Sequence, residues 1–187
     1  MPGGSSMKLV ILDRNGVINF DSEQFIKSPE EWRPIPGSLE AIAALHQAGF
    51  RVVVASNESG VGRGLFDMAT LNSIHAKMHK LVAQAGGRID AVFFCPHAAD
   101  SKCACRKPKA GLLEDISARY HMDLKGVPAI GDSLRDLEAA AAAGARPILV
   151  RTGKGGKTLA ANELPEGLRI FDDLAEAART LIAETAA

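Results

Sequence analysis

The sequence predicts an α/β fold, a parallel sheet covered by helices on both faces. Short apolar, β-branched runs alternate along the chain with longer amphipathic ones, which is the signature of strand–helix–strand units. The apolar runs are nearly continuous, as in strands buried on both faces. Polar residues follow the carboxyl ends of those runs, where ligands bind in such sheets.

In chain order, "KLVIL" (8–12), "RVVVAS" (51–56), "AVFFC" (91–95), "VPAIG" (127–131) and "PILVR" (147–151) read as strands. Helical periodicity occupies 37–48, 67–84, 110–121 and 134–143, and a last helix covers 172–184. Gly49, Gly86, Gly87 and Gly144 stand where helix C-caps are expected. The alanine run 139–143 is good helix-forming sequence. "PGGSS" before Met7 reads as a cloning scar, so residues 1–6 are set apart and 7–187 are taken as one domain.

Composition narrows the function. The 187 residues carry 22 basic and 22 acidic side chains, so no global field draws the chain to nucleic acid or to a membrane surface. No run of about 18 apolar residues is present to span a bilayer. The N-terminus lacks a secretory pattern, and the three cysteines all fall within 95–105. Disulfides in a secreted scaffold are usually even in number and dispersed, so these cysteines read as reduced metal ligands in a cytoplasmic protein. A monomer is expected.

The polar residues after the strands carry the chemistry. Asp13 follows the first strand, Ser56 and Asn57 the second, Arg106 and Lys107 the third, Asp132 the fourth, and Thr152 to Lys154 the fifth. Two carboxylates converging at neighbouring strand ends repel unless a cation lies between them. An all-oxygen site suits Mg²⁺, which accepts phosphate oxygens in its shell. A carboxylate held there can attack phosphorus and form an aspartyl phosphate, while Ser56, Asn57 and Lys107 offer donors and positive charge to the phosphoryl oxygens.

"DRNGVIN", "ASNESG", "RKP" and "GDSLRDL" resemble, in order, the four motifs of haloacid dehalogenase superfamily phosphatases. The resemblance implies a Rossmann-like fold with Asp13 as nucleophile. It makes Asn15 a main-chain carbonyl ligand to Mg²⁺ that occupies the acid/base position. Ser56 and Lys107 hold the phosphoryl group and Asp132 is a Mg²⁺ ligand. Asp136 lies one helical turn beyond and orients Lys107 or a metal-bound water, with a simple helix N-terminal charge as the alternative.

The family has Asp where this chain has Asn15. A carboxamide neither protonates a leaving alkoxide nor activates water, and loss of general acid–base catalysis is worth roughly 10²–10⁴ in rate. An engineered exchange is the simpler account of Asn15, and natural loss is the alternative. Glu58 departs too, because the family is expected to carry "SNQSG". An acid there disfavours a nearby phosphate unless its side chain points away.

"CPHAADSKCAC" supplies Cys95, His97, Cys103 and Cys105, a closed Cys₃His set for a structural zinc ion. That ion would stiffen the loop delivering Arg106 and Lys107; three free thiols are the alternative. Within the superfamily, this loop followed by "RKP" resembles the branch of heptose bisphosphate and histidinol-phosphate phosphatases. "SNESGVGRGLF" and "VRTGKG" are more similar to the heptose enzymes, which implies a small phosphorylated sugar as substrate. Arg63 and Arg106 would be substrate-facing cations, or else solvated arginines.

About two dozen residues separate Asp13 from the helix at Gly37, too few for an inserted cap domain, so a capless, open cleft is expected. Trp32 is expected to pack. "RTGKGGKT" fails as a P-loop, since positions 151–152, where the leading glycine would stand, hold Arg151 and Thr152. His75 and His79 are spaced one helical turn apart but lack a third ligand, so surface or half-buried histidines are expected.

Overall fold

The computed structural model describes residues 7–161 and 163–186. The segment 1–6, read as a scar, lies outside the described residues.

Six strands form one parallel sheet: β1 (Lys8–Leu12), β2 (Phe50–Asn57), β3 (Ala91–Cys95), β4 (Pro128–Gly131), β5 (Arg146–Val150) and β6 (Arg169–Phe171). The spatial order is β3-β2-β1-β4-β5-β6, with every pairing parallel. Connections run outward from β1 on one side and outward from β4 on the other. The order therefore reverses between β1 and β4, and a crevice opens above their carboxyl ends.

The five strands expected from apolar runs are all present, with ends shifted by a residue at most. β6 was not expected. It is three residues long, and its "RIF" is too brief to register as a periodic pattern. The helices are α1 (Ser38–Gln47), α2 (Ser59–Gly62), α3 (Met68–Gln84), α4 (Gly111–Tyr120), α5 (Leu134–Ala142), α6 (Gly155–Leu159) and α7 (Leu174–Thr185). The one-turn α2 and α6 also escaped the sequence reading, because a single turn shows no repeat.

Alternation within β1 explains the two-sided packing. Val10 and Leu12 join Val52, Val54, Ile148 and Val150 on one face, under α1, α3 and α7. Leu9 and Ile11 join Val53, Ala55 and Ala129 on the other, under α4 and α5. Successive side chains of a strand point to opposite faces, so a strand with both sets apolar is buried on both. Trp32, at the end of a short 3₁₀ turn (Pro29–Glu31), is fully buried in the first cluster; packing is its role, as expected.

Among the described residues no inserted domain covers the carboxyl edge. Residues 14–37 instead form a compact loop whose Ile18 main chain accepts a hydrogen bond from Ile35 N–H. Among the described residues no helix is long and apolar enough to cross a membrane.

Candidate active site

Asp13 continues β1, and its N–H donates to Ile130 of β4 at 2.9 Å, which ties the crevice's two walls together. Asp132 continues β4, so strand pairing brings the two carboxylates face to face. Oxygens of Asp13, Asp132 and Asp136 lie within 4.8 Å of one another. Asp136 is presented by the first turn of α5, where it completes a capping box: Ser133 N–H (3.1 Å), Ser133 Oγ (2.9 Å) and Asp132 N–H (3.1 Å) all donate to its Oδ2. Its other oxygen meets Lys107 Nζ at 2.9 Å. Asp136 thus has both arrangements weighed for it from sequence, the helix-end charge and the contact with Lys107.

Lys107 is buried and donates also to Asp13 Oδ1 at 3.4 Å. One ammonium faces three carboxylates, and the imbalance appears in their proton affinities. Burial, then the charge of Asp136, holds the Asp13 carboxyl well above the usual range despite Lys107. Asp132 is pushed up to about 7, by burial first and Asp136 next, against the stabilising N–H of Lys154. Asp136 goes the other way. Burial is the largest influence and opposes its charge, but Lys107 together with the hydrogen bonds from Ser133 outweighs burial and draws it down to about 2. Lys107 itself is raised, since Asp13 and Asp136 outweigh its own desolvation. An acidic group left short of one or two positive charges, with oxygen donors alone, fits a hard divalent cation.

The loop after β5 closes on this group from above. Lys154 N–H donates to Asp132 Oδ2 at 2.8 Å, Thr158 Oγ1 to the Asp132 carbonyl at 2.7 Å, and Thr152 Oγ1 to the Gly16 carbonyl at 2.6 Å. Gly16 has φ +86°, and a Cβ there would collide with the Asp132 carboxylate. The glycine after Asn15 is therefore required by close approach as well as by the turn.

The expected phosphate donors are arranged differently from a simple ring. Asn57 is engaged at both ends with the main chain of Lys107: Lys107 N–H donates to its Oδ1 (3.0 Å), and its Nδ2 donates to the Lys107 carbonyl (3.2 Å). Its amide positions Lys107 while lining the cleft. Ser56 is fully buried and donates its hydroxyl to Glu58 Oε1 at 2.7 Å. Arg63 is exposed, its guanidinium 5.1 Å over the Phe25 ring, and Arg106 is half-buried with Nη1 unpartnered among the described residues. Both line a cleft of about 250 Å³ together with Asp13, Asn15, Asp132 and Asp136.

Sequence reasoning missed two side chains here, Arg135 and Arg14. Arg135 lines the cleft, as does Lys154 of the set expected after the fifth strand; Arg135 stands one residue before Asp136 in "GDSLRDL", a position that could have drawn notice. Arg14 is the larger omission. It is fully buried, and its Nε (3.2 Å) and Nη2 (2.9 Å) donate to Asn15 Oδ1. Its Nη1 lies 3.0 Å from His75 Nε2 and 3.2 Å from Glu58 Oε1. His75 is consequently buried, where a surface or half-buried position was expected, while His79 is exposed. Glu58 points toward Arg14, which removes the conflict with phosphate that its sequence position raised.

Beside the cleft, the loop after β3 folds Cys95, His97, Cys103 and Cys105 together, with ligand atoms within 4.8 Å of one another. His97 Nδ1 is 3.3 Å from Cys95 Sγ and 3.2 Å from Cys105 Sγ, and no disulfide links the sulfurs. Burial and the neighbouring sulfurs push the Cys105 thiol up to about 12. At Cys103 burial is outweighed, chiefly by the N–H of Arg106, which brings the thiol down to about 6. Three sulfurs and an imidazole converging in this way form a donor set that suits zinc. Arg106 and Lys107 directly follow the last of these ligands.

Comparison with known proteins follows the same lines. Residues 104–177 match the HAD-hydrolase-like family, and residues 11–133 match the polynucleotide kinase 3 phosphatase family. D-glycero-β-D-manno-heptose-1,7-bisphosphate 7-phosphatase of Bordetella bronchiseptica is 61% identical over 95% of this chain and 99% of its own. The enzyme of the same name from Pseudomonas putida is 54% identical over 94% of this chain and all of its own. Among solved structures, D,D-heptose 1,7-bisphosphate phosphatase from B. bronchiseptica, complexed with magnesium and phosphate, superposes with a TM-score of 0.94 at 61% identity, covering 95% of this chain and 99% of that one. The Burkholderia thailandensis protein of that name gives 0.76 at 55% identity, covering 94% and 99%.

Proposed function

The chain belongs to the haloacid dehalogenase-like phosphatases, and on that premise we propose that it removes the C7 phosphate of D-glycero-β-D-manno-heptose 1,7-bisphosphate through an aspartyl phosphate. The observation that carries the reading is the convergence of Asp13, Asp132, Asp136 and Lys107 at the β1/β4 crevice. Relatives at 50–61% identity that bear the heptose name support the substrate over histidinol phosphate.

In this reading Asp13 attacks phosphorus, the bond from phosphorus to the C7 oxygen breaks, and water then hydrolyses the acyl phosphate. Lys107, held by Asp136 and by Asn57, neutralises phosphoryl oxygens as charge spreads over them. Asp13, the main-chain carbonyl of Asn15 and Asp132 hold Mg²⁺. When bound, the ion balances the carboxylates and polarises the transferring phosphoryl group. Asp136 stays one contact removed, through Lys107. Cys95, His97, Cys103 and Cys105 hold zinc, which keeps Arg106 and Lys107 in place. Arg63, Arg106, Arg135 and Lys154 at the mouth receive the sugar's remaining phosphate. Ser56 reaches phosphate once its hydroxyl turns from Glu58. The protein works in the cytoplasm as a monomer formed of one domain.

Asn15 lowers turnover, because no proton reaches the leaving oxygen from this side chain. A binding protein for phosphorylated sugar is the second reading, and the carboxamide at position 15 is what favours it. Asn15→Asp separates the two. Phosphate release from heptose 1,7-bisphosphate should rise by roughly 10²–10⁴ and exceed that from histidinol phosphate in a side-by-side assay. A substituted protein that remains silent on both substrates would leave the binding reading standing.

A further inference from the structure

We infer that Glu58 is the counter-ion that Arg14 requires, so that positions 15 and 58 form one compensated pair on a single guanidinium and Glu58 sets the side chain at position 15. A fully buried cation is costly unless an anion neutralises it. Arg14 is such a cation. Of the side chains it touches, Asn15 is neutral, and His75 stays neutral because burial, and then Arg14 itself, pull its imidazole down to about 3. Glu58, 4% exposed and 3.2 Å from Nη1, is the one carboxylate paired with Arg14 among the described residues. Ser56 donates to the same Glu58 oxygen at 2.7 Å.

The guanidinium therefore spans the two positions. Its Nε and Nη2 take residue 15, its Nη1 takes residue 58, and the group as a whole is neutral. An acid at position 15 with Glu58 unchanged would place two carboxylates on one cation. The adjoining wall already holds Asp13, Asp132 and Asp136, and among the described residues Lys107 is the one cation ion-paired within that group. An acid at 15 with an amide at 58 would restore neutrality with the charge moved. The carboxamide at 15 is thus matched by the surrounding charge, and Glu58 acts as a positioning residue through Arg14.

A double-substitution cycle tests this. The four proteins are the chain itself, Asn15→Asp, Glu58→Gln and the double variant, melted without substrate at fixed ionic strength. Glu58→Gln should lower Tm by several degrees in the chain with Asn15, and leave it unchanged or raise it once position 15 is an acid. If Glu58→Gln alone fails to fold while the double variant folds, the inference gains the same support. Equal losses in both backgrounds, no loss in either, or failure of both variants to fold would overturn it.

The activity arm rests on the phosphatase reading. Adding Glu58→Gln to Asn15→Asp should raise kcat several-fold with KM little changed, which a merely structural contact would not do. If Asn15→Asp is active and the second substitution leaves kcat flat or lowers it, Glu58 does not set residue 15 and the inference fails. Silence of both acid-bearing proteins would instead count against the phosphatase reading, and the melting cycle would still decide the pairing.

Discussion

Acidification should weaken divalent-ion binding well before it unfolds the protein. The reason lies at Asp132, whose carboxyl is pushed up to about 7 by burial and by Asp136. A cation needs that carboxylate ionised, so proton and metal compete for one site. With a midpoint near 7, the apparent Mg²⁺ affinity should be ~10-fold weaker at pH 6, and ~100-fold weaker at pH 5, than on the plateau above pH 8. Asp13, also raised, makes the acid side steeper still. Stability moves in the opposite sense when no cation is present. The folded Asp132 carboxyl holds its proton more tightly than the ordinary 3.8. Its contribution to stability is therefore complete below about pH 4 and disappears as pH rises through about 7. Saturating Mg²⁺ should accordingly raise Tm more at pH 8 than at pH 5.5. Calorimetric titration with Mg²⁺ from pH 5 to 8.5 at constant ionic strength measures the effect, with Asp132→Asn as the control that lacks the step. An affinity that stays flat across that range would refute the account of the carboxylate cluster.

Two further outcomes follow from close approach and from the cysteine loop. Gly16→Ala places a Cβ against the Asp132 carboxylate at a left-handed backbone position. It should cost ~1–2 kcal/mol in chemical denaturation and abolish measurable Mg²⁺ binding, with the far-ultraviolet spectrum retained. Cys103→Ser or treatment with a strong zinc chelator should release about one zinc ion per chain, read by elemental analysis. Either should also open the 96–105 loop to protease and raise KM before it lowers kcat, because Arg106 and Lys107 follow the last ligand.

Much of the architecture was legible because strand and helix periods differ and each is written locally. The five longer strands and five longer helices emerge from apolar runs and their punctuation. β6, α2 and α6 do not, being too short to show a period. Asp13 and Asp132 could be placed together because a parallel sheet gathers the residues after each strand at one edge. The cysteine set was legible from clustering in a short loop.

Side-chain pairing across the core was not legible. Asn57 holds the main chain of a residue fifty positions away. Arg14 meets His75 across sixty-one positions. Neither contact leaves a local pattern, since a hydrogen bond between distant segments constrains no nearby residue spacing.

The sequence by itself determined the layered fold, the acidic strand ends, the clustered cysteines and histidine of one loop, and the amide at position 15. Those are fixed by periodicity and by side-chain chemistry, which each segment carries alone. The tertiary structure alone decided which carboxylates share Lys107, why a glycine must sit against Asp132, and where the charge of Glu58 goes. Burial sets those outcomes, because the energy of a charge depends on what surrounds it in three dimensions and not on its neighbours in the chain.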